Sequence, residues 1–197
     1  MRTFVIASNN LKKVRELNRI LIPLGIMAKT PKEMNITLDD VEETGTTFIE
    51  NARLKARAAY ELTGLPCIAD DSGLMVDALN GAPGVYSARY SDEGTDECNN
   101  KKLLSKLNDV EDDKRTARFV CSVCCYFSED NYFFVNGKCE GKIAREGHGD
   151  GGFGYDPLFL SDDLGVTFAQ AEPEAKNGVS HRARAIKKLI EALEAEA

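Results

Sequence analysis

Only two histidines occur in the sequence, His148 and His181, too few to build a histidine-rich metal site. No apolar stretch is long enough to cross a bilayer. The start, Met1-Arg2-Thr3-Phe4-Val5-Ile6-Ala7, passes straight into a strand-like run without the apolar core of a signal peptide. The expectation is a cytoplasmic protein with no membrane partner. Cations are outnumbered: 25 Lys and Arg against 32 Asp and Glu leave a net charge of −7. Non-specific nucleic-acid binding needs an excess of cations to neutralise phosphates, so nucleic acid is not an expected partner. A small anion remains open, because it needs only a local cluster of positive groups. Repeats, low-complexity tracts and linkers are also absent. A chain of 197 residues can bury a sizeable core as one domain, with two lobes around a cleft as a variant.

Six cysteines are present, but a chain this long and this rich in ordinary core residues does not need a disulfide framework. Cys121 and Cys124 have zinc-knuckle spacing. They sit, however, in a run over residues 117–127 that reads as a buried strand, and residues three apart on a strand face opposite sides. Free thiols and no zinc are the expectation.

Phe4 to Ala7 reads as a strand ending in polar Ser8-Asn9-Asn10, after which Leu11, Val14, Leu17 and Leu21 recur at helical spacing. A second helix begins at a Thr46 or Thr47 cap with Glu50 in capping-box position and stops at Gly64-Leu65-Pro66. Cys67-Ile68-Ala69 is a strand running into Asp70-Asp71-Ser72-Gly73, and Leu74 to Leu79 is expected to open a short helix. A helical segment follows over 96–108, then strands at 116–127 and 132–143 that look like antiparallel neighbours. Gly147 to Gly154 is a glycine-rich loop. A last helix starts at Ser180 with Ala183, Ile186, Leu189, Ile190 and Leu193 on its apolar face. Strands alternating with helices around a central hairpin indicate an α/β fold with a mixed, twisted sheet and flanking helices.

Four constellations could carry chemistry. Ser8-Asn9-Asn10-Leu11-Lys12-Lys13 is a strand-to-helix turn whose free N–H groups and lysine charge suit a triphosphate; it lacks the Walker A pattern and equally fits a capped helix with solvated lysines. Glu42-Glu43 and Asp70-Asp71 offer hard oxygen ligands for magnesium and a carboxylate to take a proton from water, or simply surface charge and turn chemistry. In Gly151-Gly152-Phe153-Gly154-Tyr155-Asp156-Pro157 the glycines permit close backbone approach and the aromatics could flank a base, or fill a core. Lys176 with Ser180-His181-Arg182 supplies cationic donors for a phosphate or a base carbonyl, or an exposed helix start.

Taken together and in order, these motifs resemble the inosine triphosphate pyrophosphatase family, the dITP/XTP pyrophosphatases, over about Thr3 to Leu193. The matching residues are Ser8, Asn10, Lys13 and Glu16; Glu42 to Gly45 with Phe48 to Ala52; Ala69 to Leu74; Gly81 to Gly84; Phe153 to Pro157; and Ser180 to Arg182. The resemblance implies two lobes flanking a central cleft, a single catalytic domain over 1–197, and a homodimer. It implies that Ser8, Asn9, Asn10, Leu11, Lys12 and Lys13 hold the triphosphate, that Glu42 and Asp71 bind magnesium, and that Asp71 is the proton acceptor. Ser72, Phe153, Gly154, Tyr155, Asp156, Lys176, His181 and Arg182 match positions that contact the nucleotide, and Asp70 and Lys55 match family positions without an assigned role. Asn9 stands where many members carry glycine; asparagine tolerates positive φ, so the turn is expected to survive.

The activity implied is hydrolysis of ITP, dITP and XTP to monophosphate and pyrophosphate, cleansing the nucleotide pool. A Maf-type enzyme acting on pyrimidine triphosphates and a non-catalytic nucleotide sensor are the alternatives. A haloacid-dehalogenase-like phosphatase is disfavoured because its nucleophilic aspartate follows the first strand, where this sequence has Ser8-Asn9-Asn10.

Overall fold

The computed structural model describes residues 2–8, 14, 17, 18, 21–38 and 41–195. Six strands, β1 (Arg2–Ile6), β2 (Ile26–Lys29), β3 (Cys67–Val76), β4 (Thr116–Ser128), β5 (Asn131–Ile143) and β6 (Phe159–Ser161), form one sheet in the order β2-β1-β3-β4-β5-β6. β1 is parallel to both β2 and β3, whereas β5 and β6 are antiparallel. β4 and β5 are sheet neighbours joined by the two-residue turn Glu129-Asp130, a link short enough only for a hairpin. The mixed α/β sheet expected from the sequence is therefore present. The helices with both ends among the described residues are α1 (Phe48–Thr63), α2 (Asp96–Lys106), α3 (Pro173–Val179) and α4 (His181–Ala195).

The chain divides into two compact units. The first comprises Met1–Asp71, Ser122–Asn136 and Ala185–Ala197. Its core places the alanine face of α1, Ala52, Ala56 and Ala59, against Val5, Cys67, Ala69, Cys124 and Tyr126. Spacings of four and three residues put those methyl groups on one side of the helix. Val14, Leu17 and Leu21, three residues of the first anticipated helix, are helical and buried. Nearby, Asn18 pairs its side-chain amide with both backbone groups of Ala28 at 2.9 Å, covering part of the terminal strand of the sheet.

The second unit comprises Ser72–Cys121 and Gly137–Arg184. Its core collects Leu74 and Val76 from β3, Leu103 from α2, Phe119 from β4, Cys139 and Ile143 from β5, and Tyr155, Leu158, Phe159 and Phe168 from the chain between β5 and α3. β5 alternates buried and exposed residues from Gly137 to Ile143, the pattern of a strand with one covered face. β4 is buried almost throughout, as a central strand covered on both faces must be. Arg115, 2 % exposed, donates to three carbonyl oxygens, those of Leu107, Ile143 and Ala144, at 2.7 to 2.9 Å, tying the end of α2 to the end of β5.

The short helix expected from Leu74 to Leu79 is not formed. β3 continues through Val76 and only Asp77–Leu79 turns as a 3-10 helix. Leu74 and Val76 are both fully buried, and residues two apart share a face on a strand but not on a helix. Asp70-Asp71-Ser72-Gly73 consequently lie within a strand rather than in a turn that caps a helix.

Candidate functional site

In the first unit, β1 ends beside the first residues of β3, which runs on past it, with Ile6 in register with Ile68 and the Ala7 N–H donating to the Ile68 carbonyl at 2.8 Å. In α/β sheets ligands bind beyond the carboxyl ends of parallel strands, and β1 ends here. Here Ala7, Ser8, Leu38, Val41, Glu43, Lys55 and Asp70 line a cavity of about 240 Å³. α1 contributes Lys55 to that lining. Thr47 caps that helix by accepting from the Glu50 N–H at 3.2 Å, and Glu50 Oε2 accepts from the Thr46 and Thr47 N–H groups and the Thr46 hydroxyl. The Thr46 bonds are the main cause of a Glu50 carboxyl held below its ordinary range. Two residues of α1 then reach the candidate carboxylates. Asn51 Nδ2 donates to Asp71 Oδ2 at 3.1 Å. One turn on, Lys55 Nζ lies 3.3 Å from Glu43 Oε1 and 3.5 Å from Asp71 Oδ1. The Lys55 and Asp71 side chains are 18 % and 13 % exposed, so water weakens this pairing much less than it would at the surface.

In the second unit the loop after Gly151 is built on a buried carboxylate. Asp156 is 3 % exposed and its Oδ2 accepts from Lys176 Nζ at 2.5 Å and from the Phe153 N–H at 2.9 Å. Gly152 lies beneath that carboxylate, with φ of 77° and no room for a Cβ against the Asp156 side chain, so only glycine fits. α2 grips the next peptide on both sides: Asp96 Oδ2 accepts from the Gly154 N–H at 2.6 Å and Asn100 Nδ2 donates to the Gly154 carbonyl at 2.9 Å. Tyr155 is buried and donates to the Ser87 carbonyl at 2.7 Å; burial pushes its hydroxyl well above the usual tyrosine range. Phe153, by contrast, is 69 % exposed while Lys176 Nζ sits 5.0 Å from its ring centre and 5.2 Å from that of Phe168. Phe168 stacks on Phe119, whose ring stacks in turn on His181 at 4.9 Å. Lys176 and His181 thus flank one series of aromatic rings.

The family model described as the Ham1 family matches residues 4–192. The chain belongs to the Ham1 family. A relative from Salmonella paratyphi A named dITP/XTP pyrophosphatase is 51 % identical over 197 residues, 98 % of each chain. Among solved structures, a Ham1 protein of Staphylococcus aureus superposes with a TM-score of 0.92 at 42 % identity, and one from Coxiella burnetii with 0.93 at 42 % identity, each over the whole of both chains.

For this Ham1 chain, the structure brings together Ser8, Glu43, Lys55 and Asp70 around the cavity, with Asp71 on Lys55. Phe153, Gly154 and Asp156 share one hydrogen-bonded loop, which Lys176 reaches from α3. Glu42 is exposed and is not among the cavity's lining residues; its neighbour Glu43 is. Ser72 is half-buried in β3 and Arg182 half-buried in the first turn of α4. Asn9, Asn10, Leu11, Lys12 and Lys13 lie outside the described residues. Sequence reasoning gave no role to Asn51 or Lys55. Their signal was present: a polar pair four residues apart beside an alanine face that is otherwise apolar.

Among the described residues no three of His, Cys, Asp and Glu group to hold a metal by themselves. Magnesium asks for less, because one or two carboxylates suffice when substrate phosphates and water complete the octahedron. Glu43 and Asp71 already converge on one cation, the Lys55 ammonium. The donor chemistry fits.

Proposed function

We propose that this Ham1 protein is a magnesium-dependent nucleoside triphosphate pyrophosphohydrolase that cleaves the α–β phosphate bond of ITP, dITP and XTP. Nucleoside monophosphate and pyrophosphate are the products. The observation that carries the reading is the Lys55 ammonium between Glu43 and Asp71, beside Ser8 at the end of β1. Carboxylates and a cation beside the carboxyl end of a parallel strand, where α/β sheets take their ligands, support this reading. The names of close relatives supply the substrate class.

In this reading Ser8, Asn9, Asn10, Leu11, Lys12 and Lys13 bind the triphosphate, and Lys13 balances the charge that develops on the departing pyrophosphate. Asp71 takes the proton of the water that attacks the α-phosphorus. Magnesium, held by Asp71 with Glu42 or Glu43, supplies phosphate charge neutralisation and a more acidic water when bound. Ser72, Phe153, Gly154, Tyr155, Asp156, Lys176, His181 and Arg182 contact the nucleotide. Phe153 offers a stacking face, and the cationic donors suit hypoxanthine and xanthine, which carry a carbonyl oxygen where adenine carries an amino group. The protein works as a cytoplasmic homodimer that removes such nucleotides from the pool.

The test is pyrophosphate detection with ITP, XTP, GTP, ATP and UTP in turn, first with magnesium and then with excess chelator. Metal-dependent release greatest on ITP and XTP is the expected result. Release greatest on UTP would assign a Maf-type pyrimidine specificity instead. Silence on every nucleotide alongside tight ITP binding would make the protein a sensor.

A further inference from the structure

Asn51 has no exposed surface and stands at the start of the second turn of α1, beside the face that carries alanine at 52, 56 and 59. Asparagine is a poor choice there for packing alone. It lowers helix propensity relative to alanine, and its buried amide must be fully hydrogen-bonded to be tolerated. Both of its ends are used. Oδ1 accepts from the Gly45 N–H at 2.8 Å and Nδ2 donates to Asp71 Oδ2 at 3.1 Å. The segment carrying Glu42 and Glu43 ends at Gly45, where an added Cβ would lie 2.6 Å from Asn51 Oδ1 and 2.7 Å from Glu50 Cβ. The loop therefore approaches the helix as closely as it does only because residue 45 is glycine.

We propose that Asn51 is a positioning residue that fixes the rotation of the Asp71 carboxylate and its place relative to the Glu42-Glu43 loop. With Oδ2 held by Asn51 and Oδ1 against Lys55, the plane of the carboxylate is determined, and the same amide anchors the neighbouring acidic loop. The inference rests on the reading of Asp71 as proton acceptor. A second buried asparagine shows what a structural role looks like. Among the described residues the side chain of Asn99, 3 % exposed, bonds to Ser91 and to the Ser87 and Ala88 carbonyls, none of them a carboxylate.

The substitution Asn51→Asp keeps the shape and the acceptor for Gly45 but replaces the donor with a second carboxylate oxygen facing Asp71. Measured on ITP well below the melting midpoint, its kcat should fall about 10- to 100-fold with KM little changed, because a small misplacement of a reacting group is enough for that. Asn51→Ala should act in the same direction. Asn99→Ala should lower the midpoint while leaving kcat at the wild-type value. The reversed pair Asn51→Asp with Asp71→Asn restores a donor facing an acceptor, so it should recover most of the midpoint lost by Asn51→Asp alone, a coupling that a merely structural asparagine would not show. Wild-type kcat in both single variants, or midpoint losses that simply add, would overturn the inference. If wild-type protein released pyrophosphate from no nucleotide, the pyrophosphatase reading would fail by itself, and the midpoint cycle would still decide whether Asn51 holds Asp71.

Discussion

Lys176 and the Phe153 backbone meet on a single oxygen of Asp156, which takes both donors at Oδ2. Removing that carboxylate would strand a largely buried ammonium and a peptide N–H together. Asp156→Ala is expected to destabilise the protein by about 3 kcal/mol, at the lower end for a broken buried pair because Lys176 keeps some contact with water. Urea unfolding would show it as a lower midpoint at unchanged slope. A loss under about 1 kcal/mol would mean that Lys176 finds another partner readily.

Asp71→Asn should keep nucleotide affinity while turnover falls by about 10²- to 10⁴-fold, the range for loss of a general base. Calorimetric titration with ITP and magnesium reads the first quantity, pyrophosphate release the second. Normal turnover in this variant would remove Asp71 from the mechanism.

The two adjacent glutamates should separate under the same assay. Glu43 contacts Lys55 and lines the cavity, whereas Glu42 is exposed. Geometry therefore expects Glu43→Gln to raise the magnesium concentration for half-maximal rate more than Glu42→Gln does. The reverse order would favour the assignment of Glu42 that the family resemblance implies, and would mean that the loop turns when nucleotide is bound.

Acid should weaken the second unit partly through Asp77. Hydrogen bonds from Arg118, then from Thr116, hold its carboxyl below the ordinary range, at 2.6 to 2.9 Å. A carboxyl depressed in the folded state stabilises fully above its unfolded pKa, about 3.9, and that contribution disappears as pH falls through the lower folded value. The group is partly exposed, so the effect is small. Unfolding free energies of wild type and Asp77→Asn should differ at pH 6, and the difference should shrink as pH falls below the unfolded value of about 3.9. A constant difference across that range would show that Asp77 acts through packing rather than charge.

Burial pushes the thiols of Cys67 and Cys124 up to about 12 and that of Cys139 up to about 11. Since the thiolate is the reactive form, iodoacetamide at pH 8 should alkylate these three only as the protein unfolds. Mass spectrometry of peptides from native and urea-treated protein tests this. Rapid native labelling at Cys124 would contradict the burial. The same groups favour the folded state below their unfolded pKa near 8.5, a preference lost as pH climbs from there toward the raised values.

The long elements could be read directly from sequence, except β3 beyond Ala69, whose second half the sequence suggested as a helix; the acidic residues could be read as well. α1 announced itself through Thr47 and Glu50, and the β4–β5 hairpin through two apolar runs with a polar pair between them. β2 and β6, at four and three residues, are too short for periodicity to show; they exist because a neighbouring strand accepts their hydrogen bonds. α3 was hidden for the same reason, being seven residues of mixed polarity ahead of the helix that the sequence did reveal. At the candidate site, Asp70-Asp71 and Glu42-Glu43 were visible as carboxylates, but which of them shares a cation depends on a tertiary approach. Asn51 and Lys55 read as ordinary helix residues until the carboxylates around them are placed.

The alanine face of α1 has an effect beyond stability. Ala52, Ala56 and Ala59 seat the helix on methyl groups, and the same helix carries Asn51 and Lys55. The depth of that seating is thus a ruler for two polar tips on the adjoining side. A few added carbon atoms at Ala52 or Ala56 would lift the whole rod, so a variant chosen as a conservative change of the interior would be noticed first as a slower enzyme.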